Sequence, residues 1–448
     1  MTAFLSMLDE LFRGLPLWVQ VLFWITFVVI AASIVSLVAL LIAARRFRGR
    51  MRGGEPGAPD GFLWVFVVPA LNEEVTIADS VARLRATTAR NALFLVIDDG
   101  SDDRTGEILA GIDDPRLRVL TRRAPDARQG KAAALNAAYR ALADDILREP
   151  AFAAWDDDHV LLAIVDADGR LAAEAPDAVA SHFSDPRLGG VQTLVRIYNR
   201  RGWLTWCQDV EFSSFGLIFQ AGRAWWGVAN MGGNGQFNRL AALRAIDEGD
   251  GPWRDRLTED QDLGVRLIQA GWGGAQENGV SVQQQGLNSL RRLFRQRVRW
   301  AQGNWQALSL LAGVGKPDVP WTARLDSVFY LLTPALQLLT GLALVTSIVE
   351  TLVDDVPYRP SYWFVLVFFL ALSFGPGIAT LVLRGGRWYS PLLAVVQVVP
   401  YLVYTWLTFF ALAWALVRLA AGRTSWAKTA RESVGDADAA PLPARSLP

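Results

Sequence analysis

Several short stretches of this 448-residue chain hold side chains suited to gripping a phosphorylated ligand and moving a proton: Pro69-Ala70-Leu71-Asn72-Glu73-Glu74, Asp98-Asp99-Gly100-Ser101-Asp102-Asp103, Gly130-Lys131 and Asp166-Ala167-Asp168. Taken singly, strand-end acids followed by Gly or Ser make turns and helix caps, and a lone D-x-D is a weak signal. Their recurrence is what points to chemistry. Acidic clusters and a lysine converging on one sheet edge are electrostatically costly unless they hold a cation and a phosphorylated ligand. Thr258-Glu259-Asp260-Gln261 opens a helix expected to run to about Ala270, with Thr258 and Gln261 forming a capping box. The helix dipole stabilises Asp260 as a carboxylate and makes it a poor proton acceptor. A like charge such as the Asp166/Asp168 pair raises its pKa again, and the sequence leaves that balance open. Finally, Ser289–Leu311 contains Gln296-Arg297-Val298-Arg299-Trp300, a Q-x-x-R-W pattern. An arginine offers a planar fork for phosphate oxygens, and the adjacent indole offers a flat face for a sugar ring. The competing reading is a basic interfacial anchor: Leu290, Phe294, Ala301, Trp305 and Leu308 fall near one helical stripe, with Arg291, Arg292, Arg295 and Arg299 around the rest.

Such groups act only if a scaffold brings them together. Phe62–Val68, Leu93–Ile97, Leu117–Leu120, Leu161–Val165 and Val191–Ile197 read as short strands with helical segments between several of them. That alternation predicts an α/β, mostly parallel sheet with ligands at the carboxyl ends of its strands, where most of these motifs lie. Asp156-Asp157-Asp158 reads as a solvated loop.

Composition narrows the function classes. Residues are 52% hydrophobic and net charge is zero, which points to a membrane and offers nothing to nucleic acid. One cysteine, Cys207, excludes an internal disulfide framework, and His159 and His182 are too few and too scattered for zinc, so any metal is held by oxygen. Leu17–Ala43 is long enough to span, and Arg45, Arg46, Arg48, Arg50 and Arg52 follow it while Asp9 and Glu10 precede it. The positive-inside rule then places the N-terminus outside and the following domain in the cytoplasm. The expected organisation is an anchor over 1–44, a basic and Gly/Pro-rich linker over 45–61, a cytoplasmic catalytic domain over 62–288, an interfacial region over 289–321, a membrane region over 322–418 and a basic, then flexible tail over 419–448.

Together, VVPALNEE, VIDDGSDD, GKAAALNAA, VDADG, LTEDQDLG and QRVRW, in this order from Val67 to Trp300, resemble the processive membrane-bound family 2 glycosyltransferases that include cellulose, hyaluronan, chitin-oligosaccharide and poly-N-acetylglucosamine synthases. The resemblance implies a GT-A-type, Rossmann-like domain flanked by transmembrane and interfacial helices. It implies that Asp98 and Asp99 contact uridine, Lys131 the nucleotide, and Asp168 with Asp166 the metal and diphosphate. Asp260 is then the base, Arg299 steadies the diphosphate and Trp300 stacks beneath the acceptor's terminal sugar. The same motifs put Pro69, Asn72, Glu73 and Gln296 on the donor side and Gly233, Asn234 and Glu259 on the acceptor side. Two departures are evident: Gly232-Gly233-Asn234-Gly235 lacks the cysteine of cellulose synthases, and Gln283-Gln284-Gln285 replaces a more usual acidic-proline stretch.

The implied activity is inverting transfer from a UDP-sugar to the growing end of a β-linked polysaccharide, processive and coupled to export, with Mg²⁺ or Mn²⁺ as cofactor. Ceramide glucosyltransferases resemble the pattern too, so single transfer to a membrane lipid is the alternative, and a catalytically dead scaffold is a third. Expected partners are the donor, a glycan or lipid acceptor and the bilayer, with room for an export subunit or a homo-oligomer. Three spans are expected in the cell membrane, at Leu17–Ala43, Ser327–Leu352 and Tyr362–Leu383. Leu392–Val417 is expected to bend at Pro400 and return to the cytoplasmic face, because the basic residues Arg384, Arg387, Arg418, Arg423, Lys428 and Arg431 flank it. Trp426–Arg431 resembles a cytoplasmic gating segment.

Overall fold

A computed structural model describes residues 14–52, 57–315, 319, 321–353, 363–385 and 390–423. Asp9, Glu10, Arg387 and the 426–431 segment lie outside them, as does most of the expected tail. The helices are α1 (Leu17–Arg52), α2 (Ile77–Arg85), α3 (Thr105–Ala110), α4 (Lys131–Arg140), α5 (Ala175–Ala180), α6 (Trp203–Ser214), α7 (Ala221–Trp225), α8 (Leu240–Ala245), α9 (Glu259–Gln269), α10 (Leu290–Gln306), α11 (Trp321–Val353), α12 (Trp363–Gly385) and α13 (Ser390–Ala420). The strands are β1 (Leu63–Ala70), β2 (Ala92–Asp98), β3 (Leu117–Thr121), β4 (Val160–Ile164), β5 (Arg170–Leu171), β6 (Leu188–Ile197), β7 (Gln236–Arg239) and β8 (Gly273–Gln284).

They form one eight-stranded sheet in the order β3-β2-β1-β4-β7-β6-β8-β5. The first four are parallel, and β7 is antiparallel to both β4 and β6. β1 shows why its segment is uniformly apolar: Trp64, Phe66 and Val68 enter one core, while Leu63, Val65 and Val67 enter the core on the other face. A parallel strand covered by helices on both sides has no solvent face and therefore no polar alternation. The five expected strands are present within a few residues of their ends. β5, β7 and β8 escape a hydrophobicity reading because Gln236-Phe237-Asn238-Arg239 and the Gly- and amide-rich Gly273–Gln284 look like loops.

Among the described residues three helices, α1, α11 and α13, are long and apolar enough to cross a membrane; the described apolar part of α12, Leu370–Gly385, is shorter. Residues 390–420 form one continuous helix with Pro400 inside it, so any bend there occurs without a break in the helix. Proline removes one intrahelical hydrogen bond. Packing on α6 and α10 offsets this: Val398, Tyr401 and Tyr404 join Cys207 and Val210 of α6, while Ala411 and Ala415 join Val298 and Ala301 of α10. The α10 stripe also differs from expectation. Leu290 is half exposed, whereas Leu293, Arg297 and Val298 are buried, because the helix packs one face against α13. α1 does not end at the membrane. Its last turns pack Ala44 and Phe47 onto Ala221, Ala224 and Ala229, and a Cβ added at Gly222 would lie 2.7 Å from the Leu40 carbonyl oxygen.

Trp64 is fully buried, meets Phe237 edge to face and donates its indole N–H to the Pro59 carbonyl. Trp64→Ala should cost about 3–5 kcal/mol, read as a lowered unfolding temperature of the solubilised protein; unchanged unfolding would mean that this face of the sheet is not the core.

Candidate active site

The strand ends deliver what the spacing promised. β4 stops at Ile164, so Asp166 and Asp168 lie beyond the sheet edge, and β1, the start of α4 and the start of α9 open onto the same space. A cavity of about 1070 Å³ is lined there by Pro69, Glu73, Asp99, Lys131, Asp166, Asp168, Gly233, Asn234, Glu259, Asp260, Gln296, Arg299 and Trp300. Two expected donor-site residues are absent from this lining. The Asp98 carboxylate accepts from the Ser101 backbone N–H at 3.0 Å. Asn72, with φ 53°, exchanges hydrogen bonds with Asp102. For these two the turn-making reading describes what the structure shows.

The electrostatic centre is Lys131. Its Nζ lies 2.6 Å from Asp166 Oδ1 and 3.7 Å from Glu259 Oε1. Burial works against its charge, yet Asp166, Glu259 and Asp260 outweigh burial and hold its pKa above the ordinary value. The carboxylates respond in the opposite sense. Burial pushes Glu259 up to about 7, with Lys131 opposing and Asp260 adding. Burial also raises Asp260, against Lys131 and the Gln261 N–H and with help from Asp166. The competition left open by the sequence is thus settled toward a raised pKa, chiefly through desolvation. The capping box does not form. Thr258 Oγ1 donates to Gln261 Oε1, and it is Asp260 Oδ1 that accepts the Gln261 backbone N–H at 2.8 Å.

Gly233 explains the small-residue loop before β7. Its φ is +82°, and a Cβ there would lie 2.9 Å from Asp260 Oδ2. Asn234 braces the acids, accepting the Asp166 N–H through Oδ1 and donating through Nδ2 to Gln284 Oε1. Gln285 donates its backbone N–H to Asp168 Oδ2. The Gln283–Gln285 stretch therefore supports the D-x-D pair. Asp166 and Asp168 offer only hard oxygens, and among the described residues no group of three or more His, Cys, Asp and Glu side chains is placed to hold a metal ion. A cation here fits the pattern of one or two carboxylates completed by phosphate oxygens and water.

Sequence reasoning missed Arg122, which pairs with Asp99 and follows β3 as the other motifs follow their strands. It also missed the support of Trp300. Arg297 lies 4.2 Å from the Trp300 ring centroid, Phe212 meets that ring edge to face, and Arg297 is held by Glu211 and by Tyr404 Oη at 2.7 Å. These residues come from α6, α10 and α13, and no spacing within the chain signals their meeting.

Residues 61–303 match the model of a family described as glycosyltransferase like family 2. The chain is 32% identical over 269 residues to a beta-monoglucosyldiacylglycerol synthase of Trichormus variabilis, covering 58% of this chain and 52% of that protein. It is 26% identical over 245 residues to a poly-beta-1,6-N-acetyl-D-glucosamine synthase of Staphylococcus aureus, covering 54% and 55%. The chain thus spans about half the length of the curated relatives it matches. A mannosyltransferase from Pyrobaculum calidifontis, solved with GDP-Man and Mn²⁺, superposes with a TM-score of 0.56 at 17% identity, covering 88% of this chain and 98% of that one. That likeness is one of fold, the GT-A-type arrangement expected for the sheet.

The raised carboxylates fix the sign of the pH response. If Asp260 is the base that the motifs imply, it must be ionised to accept a proton, and that form is lost as pH falls through a pKa above the usual carboxylate range. The acid limb of kcat should lie in that elevated range, and Glu259→Gln should move it to lower pH by removing a like charge. A wild-type limb near an ordinary aspartate value would contradict the geometry.

Proposed function

The chain belongs to glycosyltransferase like family 2, and from that membership and the cavity we propose that it is an inverting transferase that moves a sugar from a UDP-sugar to the growing end of a β-linked glycan and passes the product into the membrane. The supporting observation is the continuity of the catalytic cavity with a second limb between membrane helices. It follows α11 from Phe329 to Ile348, about 28 Å of helix, close to the ~30 Å of a bilayer's hydrocarbon core. Thr333, Gln337 and Thr340 form one polar stripe along it, joined by Ser33 and Ser36 of α1 and Ser373 of α12. Thr333 and Thr340 donate to the Phe329 and Leu336 carbonyls, so their oxygens remain acceptors for sugar hydroxyls. No charged side chain of α1, α11, α12 or α13 lines this limb among the described residues. Holding one acyl chain in one leaflet requires only about half that depth.

In this reading the acceptor hydroxyl attacks the anomeric carbon as the bond to the diphosphate breaks. The electron pair leaves with the diphosphate, and Asp260 takes the hydroxyl proton. Single displacement inverts the centre. Lys131 and Arg299 face the departing charge, Pro69, Glu73 and Asp99 lie on the donor side, and Trp300, held by Arg297, is the platform for the acceptor. Asp166 and Asp168 would hold Mg²⁺ or Mn²⁺, which supplies charge neutralisation for the diphosphate. A lipid acceptor is the second reading. It is favoured by the aliphatic and aromatic lining from Leu344, Val345, Ile348, Phe409 and Phe410 and by the 32% identity to a glycolipid synthase.

Incubating the purified protein with labelled UDP-sugars and membrane lipids, then sizing the product, tests both. A ladder of lengthening glycans is expected, and a single sugar on lipid with nothing longer would replace the first reading with the second. Asp260→Asn should lower turnover about 100- to 10,000-fold while donor binding by calorimetry is preserved; retention of a tenth of wild-type turnover would remove Asp260 from the base role.

The proposed topology keeps the catalytic domain cytoplasmic and the N-terminus outside, with α1, α11 and α12 crossing. Arg384, next to the end of α12, reaches Asp209 on α6. Both halves of α13 stay against helices of the catalytic side, and Gln302 of α10 donates to the Arg423 carbonyl just past its end. Length and composition would let α13 cross, and its Phe409 abuts Gly341 midway along α11; the contacts with α6 and α10 are what supports a helix lying on the cytoplasmic face. A cysteine replacing Ser433 in a Cys207→Ser background should resist an impermeant thiol reagent applied to intact cells; rapid labelling would mean that α13 crosses.

A further inference from the structure

The densest charge cluster outside the catalytic cavity surrounds Asp209, whose side chain is fully buried on α6. Its Oδ1 accepts from Arg196 Nε at 2.9 Å and from the Ile197 N–H at 3.0 Å. Its Oδ2 accepts from Arg196 Nη2 and Arg200 Nη1, each at 3.3 Å, and from Arg384 Nη2 at 2.5 Å. Those five donors saturate a carboxylate, which offers about four lone-pair sites. Three guanidinium charges therefore share one negative charge, an excess of two. Each guanidinium brings five N–H donors, and Asp209 is the sole hydrogen-bond acceptor of all three arginines among the described residues. Arg384 Nη1 is buried without a partner. The cluster is still reachable: 18%, 32% and 17% of the Arg196, Arg200 and Arg384 side chains are exposed.

Its position indicates which anion would suit it. Arg384 is the last residue but one of the apolar α12, where that helix meets the catalytic domain. Trp203, 46% exposed, begins α6 three residues after Arg200, and exposed indoles favour the headgroup level of a bilayer. Forked guanidiniums with donors to spare suit an oxyanion with several acceptor oxygens. We propose that Arg196, Arg200 and Arg384, gathered on Asp209 at the end of α12, hold the phosphate of an anionic phospholipid headgroup. Asp209 sets their spacing and the bound lipid supplies the balancing charge.

The test uses the full chain in nanodiscs of phosphatidylcholine with and without phosphatidylglycerol, reading lipid retained on the protein by native mass spectrometry and the unfolding temperature. Phosphatidylglycerol should be retained and should raise the unfolding temperature. Arg200→Gln, the most exposed of the three, should lower retention about fivefold, while Arg46→Gln, an exposed arginine on α1, should leave it unchanged. Equal retention in wild type and Arg200→Gln, or equal loss in Arg46→Gln and Arg200→Gln, would overturn the site in favour of diffuse surface charge. Inorganic phosphate in neutral detergent raising the unfolding temperature as much as phosphatidylglycerol would overturn the lipid assignment. Should Arg200→Gln fail to fold, Arg200→Lys keeps the charge without the fork and is expected between the two; wild-type retention there would overturn the match of fork to phosphate.

Discussion

One ammonium group organises the catalytic face. Lys131 stands at the start of α4, against Asp166 beyond β4 and Glu259 at the start of α9, with Asp260 within its field. Three partly desolvated carboxylates cannot share a small space without a cation. Even with Lys131 present, two negative charges remain in excess. Burial, more than that excess, keeps Glu259 and Asp260 protonating above their ordinary range, and under the proposed function a divalent ion brought in with the nucleotide's diphosphate would offset the excess. The glycine at 233 belongs to the same constraint, because a carboxylate packed this close to the chain leaves no room for a side chain.

Much of this was legible because β-strands in a doubly covered sheet are uniformly apolar and end abruptly. Phe62–Val68 and Leu161–Val165 announce themselves, and the polar residues after them mark the open edge. β7 and β8 were not legible: their buried polar residues, such as Gln236, Asn238 and Gln276, carry no hydrophobic signature and gain their places from cross-strand pairing. Asp98 and Asn72 show that a motif residue can also brace its own turn: Asp98 accepts the Ser101 N–H and Asn72 accepts the Asp102 N–H. The unbroken α13 shows why Pro400 misleads: a proline's local cost is fixed by the backbone, whereas its consequence depends on how much the surrounding packing contributes.

The Trp300 platform depends on pieces far apart in the chain. Arg297 is buried beneath the indole and ionically held by Glu211, and Tyr404 ties both to α13. An aromatic ring on an amphipathic helix would otherwise sample several rotamers. Here its orientation is set jointly by α6, α10 and α13, so under the proposed function the acceptor platform and the packing of α13 share one network.

The junction between α1 and α7 changes what an N-terminal anchor means. Ala44 and Phe47 press on Ala221, Ala224 and Ala229, Gly222 admits the backbone near Leu40, and Arg48 donates to the Leu217 carbonyl at 3.0 Å. A flexible leash would let the catalytic domain swing and dissociate once cut. This helix is instead a strut, with its inner end mortised into the domain. Severing the chain between α1 and β1 would then leave the two fragments assembled through the α1–α7 junction.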